Sequence, residues 1–269
     1  MVNNNNKMSE KPILLAIQNA HPRDEFITFD EGPHVYTVHG EQGYTSVTTW
    51  NHHHFSKFEG DKIIENILKS PKMTDPNYKY YGMTKEDILK SWDKNRDSAS
   101  GAGTKTHYNI ECYYNGLEVL DDSVEFQYFK KFVKDFPELK AYRTEWCVYY
   151  EEVKLSGSID MIFQHSETGE FYIYDWKRSK GIEYESYYNK FAITPCISHL
   201  PDTNYWHYSL QLNVYRKILQ DKYNMKIAGL FLVVLHPDSP YKTYERIEVP
   251  FMDKEIHDLW EFRKLELAQ

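Results

Sequence analysis

Cysteine is scarce in this chain. Cys112, Cys147 and Cys196 are three in 269 residues, odd in number and far apart. They make neither a disulfide framework nor, by themselves, a zinc or iron–sulfur site, and a reducing, intracellular compartment is the expectation. Long hydrophobic runs are missing as well. None approaches the roughly 20 residues of a membrane span, so no membrane partner is expected. The opening Met-Val-Asn-Asn-Asn-Asn-Lys-Met-Ser-Glu has no apolar signal core and no Arg-rich amphipathic character; residues 1–25 are expected to form a loose or disordered tail. Basic charge is not in excess either. The net charge of −8 argues against a broad cationic coat for duplex DNA, although a local groove remains compatible with it. There is no internal repeat, and no low-complexity block beyond the asparagine run.

What is present is enough for a real core: 41% hydrophobic residues over a length that suits one large domain, or one with a helical annex. Aromatics reach 16%, with 23 tyrosines. Most of these read as core and sheet residues, although aromatic platforms are also how single strands are gripped without sequence preference.

The chemistry-bearing residues gather around 156–180. Two apolar runs, Ile159–Phe163 and Phe171–Tyr174, flank His-Ser-Glu-Thr-Gly-Glu, which is hairpin-turn material with Gly169 free to take a positive φ. The β-branched and aromatic flanks favour strands. In an antiparallel hairpin Asp160, early in the first strand, lies beside Asp175 and Lys177 at the end of the second. Alternation puts Asp175 and Lys177 on one face and Trp176 on the other. Two adjacent carboxylates resist joint ionisation unless a cation lies between them, and hard oxygen donors suit Mg²⁺ or Mn²⁺. Taken alone, the pattern also describes an ordinary solvated hairpin.

In order along the chain, Lys11–Ala20 reads as a short helix, and Phe26–Asp30, His34–His39 and Tyr44–Thr49 as strands. His52-His53-His54 reads as a solvated loop, and not as a zinc site, because adjacent histidines share no face. Phe58–Lys69 has helical period, and Thr84-Lys-Glu-Asp opens another helix as a capping box. Gly101-Ala-Gly leads to Thr104 as the cap of a further helix carrying His107 and Glu111 at i and i+4, pointing one way. Ser123–Phe136 shows a core stripe. Tyr142–Tyr150 is a strand containing Glu145. Ile182–Asp202 is a long loop, Tyr205–Tyr223 a helix, Ala228–Leu235 a strand buried on both faces, Tyr244–Val249 a strand and Phe251–Leu267 the closing helix.

Taken in series, the Gly-Thr-x-x-His helix, a strand Glu, Gly-x-x-Asp, Asp-x-Lys and a helix with Gln-x-x-x-Tyr resemble the PD-(D/E)XK nuclease superfamily. The likeness covers roughly residues 100–220. It is nearest to the RecB-like branch, which holds the AddB and RecB nuclease domains, CRISPR-associated RecB-like exonucleases and the mitochondrial genome maintenance exonuclease. His34-Val-Tyr-Thr-Val followed by Tyr44-Thr-Ser-Val-Thr-Thr is similar to the opening of many such enzymes of phage or viral origin, for which the compartment would be cytoplasm or the nucleus of an infected host cell.

The resemblance implies an α/β fold with a restriction-endonuclease-like core, a central mixed sheet flanked by helices, over residues 99–269, with a mixed/helical N-terminal extension at 26–98 packing on it. The position and aromatic content of that extension make it a candidate substrate arch. It implies His107, Asp160, Asp175 and the carbonyl of Trp176 as metal ligands and Lys177 as the catalytic lysine. Glu145 would be the strand acid that positions the lysine or a second metal's water. Gln211 and Tyr215 would contact the lysine and the substrate backbone, and Thr104, Glu111 and Arg178 are further substrate-side candidates. The cluster-binding cysteines of AddB and of many CRISPR-associated relatives are absent, so no iron–sulfur cluster is expected. The implied activity is Mg²⁺- or Mn²⁺-dependent hydrolysis of DNA in replication, repair or recombination, most simply by an exonuclease on single strands or free ends that leaves 5′ phosphates. An endonuclease of the same fold, on DNA or RNA, and a non-catalytic nucleic-acid-binding protein remain open alternatives.

Overall fold

The computed structural model describes residues 12–269, in which β1 (Ile27–Asp30) and β2 (Val35–Val38) pair antiparallel as a ribbon apart from the main sheet. Its centre is a mixed six-stranded sheet organised on one strand, β5 (Leu155–His165). β4 (Leu139–Tyr150) covers one edge of β5 along its whole length, antiparallel. The other edge is shared. β3 (Thr45–Ser46) takes Leu155 and Ser156 in parallel, and β6 (Phe171–Lys177) takes Met161 to Gln164 antiparallel. Gly157 to Asp160 lie between these two partners, where the sheet forks. β6 continues in parallel with β7 (Ile227–Val234), and β8 (Glu245–Val249) closes the far edge.

The β5–β6 turn is as the composition demands. Gly169 has φ +71 and its N–H donates to the His165 carbonyl at 2.8 Å, a conformation open to glycine without steric penalty. The strands are longer than the apolar runs suggest, because β5 and β6 gain their extra residues from neighbours other than each other. β7 is buried at almost every position, since helices cover both faces of the sheet. On one face α4 (Lys85–Tyr114) and α5 (Val124–Asp135) set Ile110, Phe126, Phe129 and Phe132 against Phe163, Tyr174 and Trp176. On the other, α2 (Val47–His53), α6 (Asn204–Lys222) and α7 (Asp253–Leu267) pack Trp50, Leu210, Val214 and Trp260 against Trp146, Ile162 and Ile173.

Several local expectations are corrected. Residues 12–25 are not a loose tail: α1 (Leu14–Gln18) is seated on the body of the protein, with the Leu15 N–H donating to Asn115 Oδ1 at 2.9 Å. Asp24 accepts from buried Arg143 at 2.7 Å and from the indole of Trp146 at 2.8 Å. The part of the expected tail and helix at residues 1–11 lies outside the described residues. Tyr44–Thr49 contains only a two-residue strand before α2 begins, with the Ser46 hydroxyl capping the Thr49 N–H. His52 and His53 end that helix, and His54 is buried beneath it at 2% exposure instead of sitting in a solvated loop.

No helix starts at Thr104. α4 runs unbroken from its capping box at Thr84 and Asp87 through Gly101 and Gly103, leaving Thr104 exposed in mid-helix. Glycine in a helix costs only about 1 kcal/mol relative to alanine, and α4 is anchored at both ends: Ile88 near its start, Thr106, Ile110 and Cys112 near its finish are buried. A boundary at residues 98–99 therefore falls inside one helix. The N-terminal segment is equally continuous with the rest, because β3 joins the main sheet and α3 (Gly60–Lys69) packs on α4.

Candidate metal centre

The fork in the sheet makes the site. Past Met161 and Tyr174 the ladder between β5 and β6 stops, and buried backbone donors there need other partners. The Trp176 N–H finds one in Asp160 Oδ2, at 2.9 Å. That bond holds the Asp160 carboxylate in the cleft between the strands. His107, from the buried side of α4, enters from above, and its Nε2 lies 2.9 Å from the Trp176 carbonyl. A carbonyl only accepts, so Nε2 carries the proton and Nδ1 faces the carboxylates. Nδ1 stands 3.5 Å from Asp160 and 3.7 Å from Glu145.

Glu145 reaches this point through an unusual backbone. It lies in the middle of β4 with φ +43, a left-handed conformation that costs a non-glycine residue about 1–2 kcal/mol. Its side chain is then held by the Ser158 hydroxyl, which donates to Oε2 at 3.0 Å. One donor atom from each of His107, Glu145 and Asp160 lies within 4.8 Å of the others. An imidazole nitrogen and two carboxylate oxygens at that spacing suit a hard or borderline divalent cation such as Mg²⁺ or Mn²⁺. The orientation of the ring by a backbone carbonyl is the usual support of a metal-ligating histidine.

The cluster of candidate donors differs from the expected one. The Trp176 carbonyl is occupied by His107, and Glu145 stands where Asp175 was expected. Asp175 is instead in contact with Lys177, whose Nζ is 2.6 Å from Oδ2. That ion pair is the contact Oδ2 makes, and the oxygen is otherwise buried without a hydrogen-bond partner among the described residues. Trp176 points to the opposite face, among Phe129, Phe132 and Phe163.

Electrostatics fix the charge states. Burial opposes the His107 imidazolium, but Asp160 and Glu145 outweigh it and raise the ring's pKa to about 9, so without a cation Nδ1 is protonated as well, and a cation binding there has to displace that proton. Burial also raises Asp160, against the pull of His107. Asp175 is pushed up to about 6 by burial, with Lys177 opposing and Asp160 assisting. Lys177 loses to burial but gains more from Asp175 and Asp160, ending above its ordinary value. The proton of the Asp175–Lys177 pair therefore sits on nitrogen, and Lys177 is a fixed ammonium and not a base. Exposure is graded: Asp175 3%, Lys177 17%, His107 30%, Glu145 33%. The centre opens to solvent on the His107–Glu145 side.

The remaining candidates separate. Gln211 shares with Lys177 a cavity of about 230 Å³. Tyr215 does not reach that space: it is 3% exposed, its side chain hydrogen-bonds Gln211, and its ring fills the room above Gly157. A Cβ on Gly157 would meet the Tyr215 hydroxyl at 2.7 Å, closer than real packing allows. Tyr215 thus positions Gln211 and has no direct path to a substrate. Arg178 is bound to Glu125 at 2.7 Å, 18% exposed. Thr104 is exposed one turn before His107. Glu111 is half-buried one turn after it, its pKa raised to about 7 by burial and by the carboxylates of Glu145 and Glu31.

Two contributors escaped sequence reasoning. Ser158 supports Glu145, and Tyr208 lies beneath Lys177, with the ammonium 4.4 Å from the ring centroid. Tyr208 precedes Gln211 by three residues, so the helical repeat was the available signal. Nothing in the residue pattern marks Ser158.

No family model matches the chain, and no curated protein matches it. Among solved structures it is similar to "Crystal structure of SSO0001", at 15% identity and a TM-score of 0.28, over 53% of this chain. The match spans 58% of that protein's length, and a likeness at this level carries no functional argument. Among the described residues no helix is long and apolar enough to cross a membrane.

Proposed function

We propose that this protein is a metal-dependent phosphodiester hydrolase acting on nucleic acid, a deoxyribonuclease of the PD-(D/E)XK type. The observation that supports the reading is the meeting of His107, Glu145 and Asp160 within 4.8 Å, next to a buried ammonium already neutralised on one side by Asp175. His107 Nδ1, Glu145 and Asp160 would hold the cation, with Asp175 completing the acidic wall. A divalent cation bound there supplies Lewis-acid polarisation of a phosphodiester and offsets its charge. The chain's own groups do the rest. The Trp176 N–H and carbonyl fix Asp160 and His107, so the donors are in place before substrate arrives. Lys177, held charged, stabilises negative charge developing on the phosphate oxygens, an interaction that is stronger in a partly desolvated cleft than in water. Gln211 faces the same cavity and can hold the phosphate backbone. Phosphate contacts position without reading sequence, so no sequence preference is expected.

Attack on free ends of single strands, with release of 5′-phosphorylated products, follows from the resemblance alone and is proposed on that footing. The test uses a single-stranded oligonucleotide labelled at either its 5′ or its 3′ end, with Mg²⁺, Mn²⁺ or EDTA, for the wild type, Asp160→Ala and Lys177→Ala. Metal-dependent release of short products by the wild type alone is the expected result, and the label lost first gives the polarity. Equal cleavage by all three proteins, or none of DNA or RNA with either metal, rules the proposal out.

A further inference from the structure

The histidine run that the metal centre leaves unused has a place in the structure. His52 lines the cavity beside Lys177, together with Tyr208, Gln211 and His207. His52 and His207 also line a second cavity of about 500 Å³, whose walls include Lys57, Phe58 and Lys190. The two spaces share those two histidines as a common wall, so they adjoin as a groove that runs from Lys177, along the start of α6, to the segment between α2 and α3. From Gln211 to Asn204 the first part alone follows α6 for roughly 10 Å at about 1.5 Å per residue.

The charges of the outer part are informative. It contains two carboxylates and two ammonium groups. Both carboxylates are already engaged: Glu59 with Lys62 at 3.1 Å and Asp202 with His207 at 2.9 Å. Among the described residues neither Lys57 nor Lys190 has an ion-pair partner. Burial lowers the His207 pKa, so that ring hydrogen-bonds Asp202 without neutralising it; two unpaired ammonium groups against that one carboxylate still leave the balance positive, in a protein whose net charge is −8. Flat rings accompany it. His207 lies against Phe55 at 3.9 Å between centroids, and Phe58 is 74% exposed at the groove's outer end. Unpaired ammonium groups beside an exposed aromatic ring are features that hold an unpaired nucleic-acid strand without reading its sequence.

We infer that this groove holds the single-stranded part of a nucleic-acid substrate, with Lys57 and Lys190 on its phosphates and Phe58 stacking on a base. The inference rests on the hydrolase reading for its direction toward Lys177, but its test does not. A space of a few hundred Å³ walled on one side by α2 and on the other by the 182–203 loop and α6 takes one strand and not a duplex.

The probe is a fluorescein-labelled twelve-residue oligothymidylate, titrated with protein in EDTA and read by anisotropy, for the wild type, Phe58→Ala and the double variant Lys57→Ala/Lys190→Ala. Phe58 and both lysines are exposed, so these variants keep the fold, which thermal unfolding verifies. Phe58→Ala should weaken binding about tenfold, within the range of one lost stacking contact. The double variant should reduce the slope of log K against log salt by about 1.4, two phosphate contacts at about 0.7 each, an effect that a merely structural role would not produce. Wild-type affinity and salt slope retained by both variants, or no binding by the wild type, overturns the groove. Binding that depends on these residues without metal-dependent cleavage in the labelled-end assay leaves the groove standing and removes the hydrolase.

Discussion

Replacing Glu111 by glutamine should make the protein more stable, and by an amount that depends on pH. Burial, with the carboxylates of Glu145 and Glu31, raises the Glu111 pKa from 4.5 to about 7. Below pH 4.5 the group is protonated in both folded and unfolded states and contributes no difference. Between 4.5 and 7 the folded protein retains a proton that the unfolded chain has lost, so stability falls as pH rises. Above 7 both states are ionised and the full penalty applies. The interval from 4.5 to about 7, at about 1.4 kcal/mol per pH unit, is roughly 3 kcal/mol, and screening of a half-buried group reduces this to about 2 kcal/mol. Urea unfolding followed by tryptophan fluorescence, at pH 4.5 and pH 8 in metal-free buffer, measures it. Glu111→Gln should gain about 2 kcal/mol over the wild type at pH 8 and nothing at pH 4.5. Added Mn²⁺ should narrow the gap by neutralising Glu145. A variant no more stable than the wild type at pH 8, or equally favoured at both pH values, refutes the reasoning.

Two further outcomes are expected. Gly157→Ala should cost about 1–3 kcal/mol of stability by overpacking, because its methyl group would collide with the Tyr215 hydroxyl; Tyr215→Phe in the same chain should recover part of the loss of Tm. His54, whose Nδ1 meets Thr194 at 2.9 Å, has its pKa lowered to about 4 by burial and then by His53 and Arg263. It is neutral in the fold, so its contribution is complete above pH 6.5 and is lost as pH falls toward 4, by up to roughly 3 kcal/mol. His54→Gln should flatten the pH dependence of unfolding across that interval, and an unchanged slope would contradict the assignment.

Much of the architecture is legible because local chemistry and tertiary context agree. The Gly169 turn, the capping box at Thr84 and Asp87, the aromatic stripe of α5 and the apolar β7 each carry one unambiguous signal. The failures occur where context overrides propensity. Gly101 and Gly103 read as a helix break, yet anchoring at both ends of α4 outweighs about 1 kcal/mol apiece. His52 to His54 read as solvated polar residues, although the helix turns His54 inward. The site is legible in its membership and less so in its wiring. His107, Asp160, Asp175 and Lys177 could be nominated by type and spacing. That Glu145 and not Asp175 stands with His107 and Asp160 depends on a left-handed kink in the middle of a strand, which a glutamate does not advertise. The occupation of the Trp176 carbonyl by the His107 ring is likewise a consequence of the forked sheet.

The most direct test of the centre is a Mn²⁺ titration followed by the electron paramagnetic resonance of the free ion, for the wild type, Glu145→Gln, Asp160→Asn and Glu111→Gln. Loss of even a supporting group around a metal weakens binding by about 10–100-fold, so loss of a ligand should do at least as much. The account predicts one ion bound by the wild type and by Glu111→Gln, and binding weakened at least to that degree in Glu145→Gln and Asp160→Asn. Unaltered binding in Glu145→Gln would contradict the ligand set drawn from the structure, and a wild type that binds no Mn²⁺ would contradict the metal centre itself.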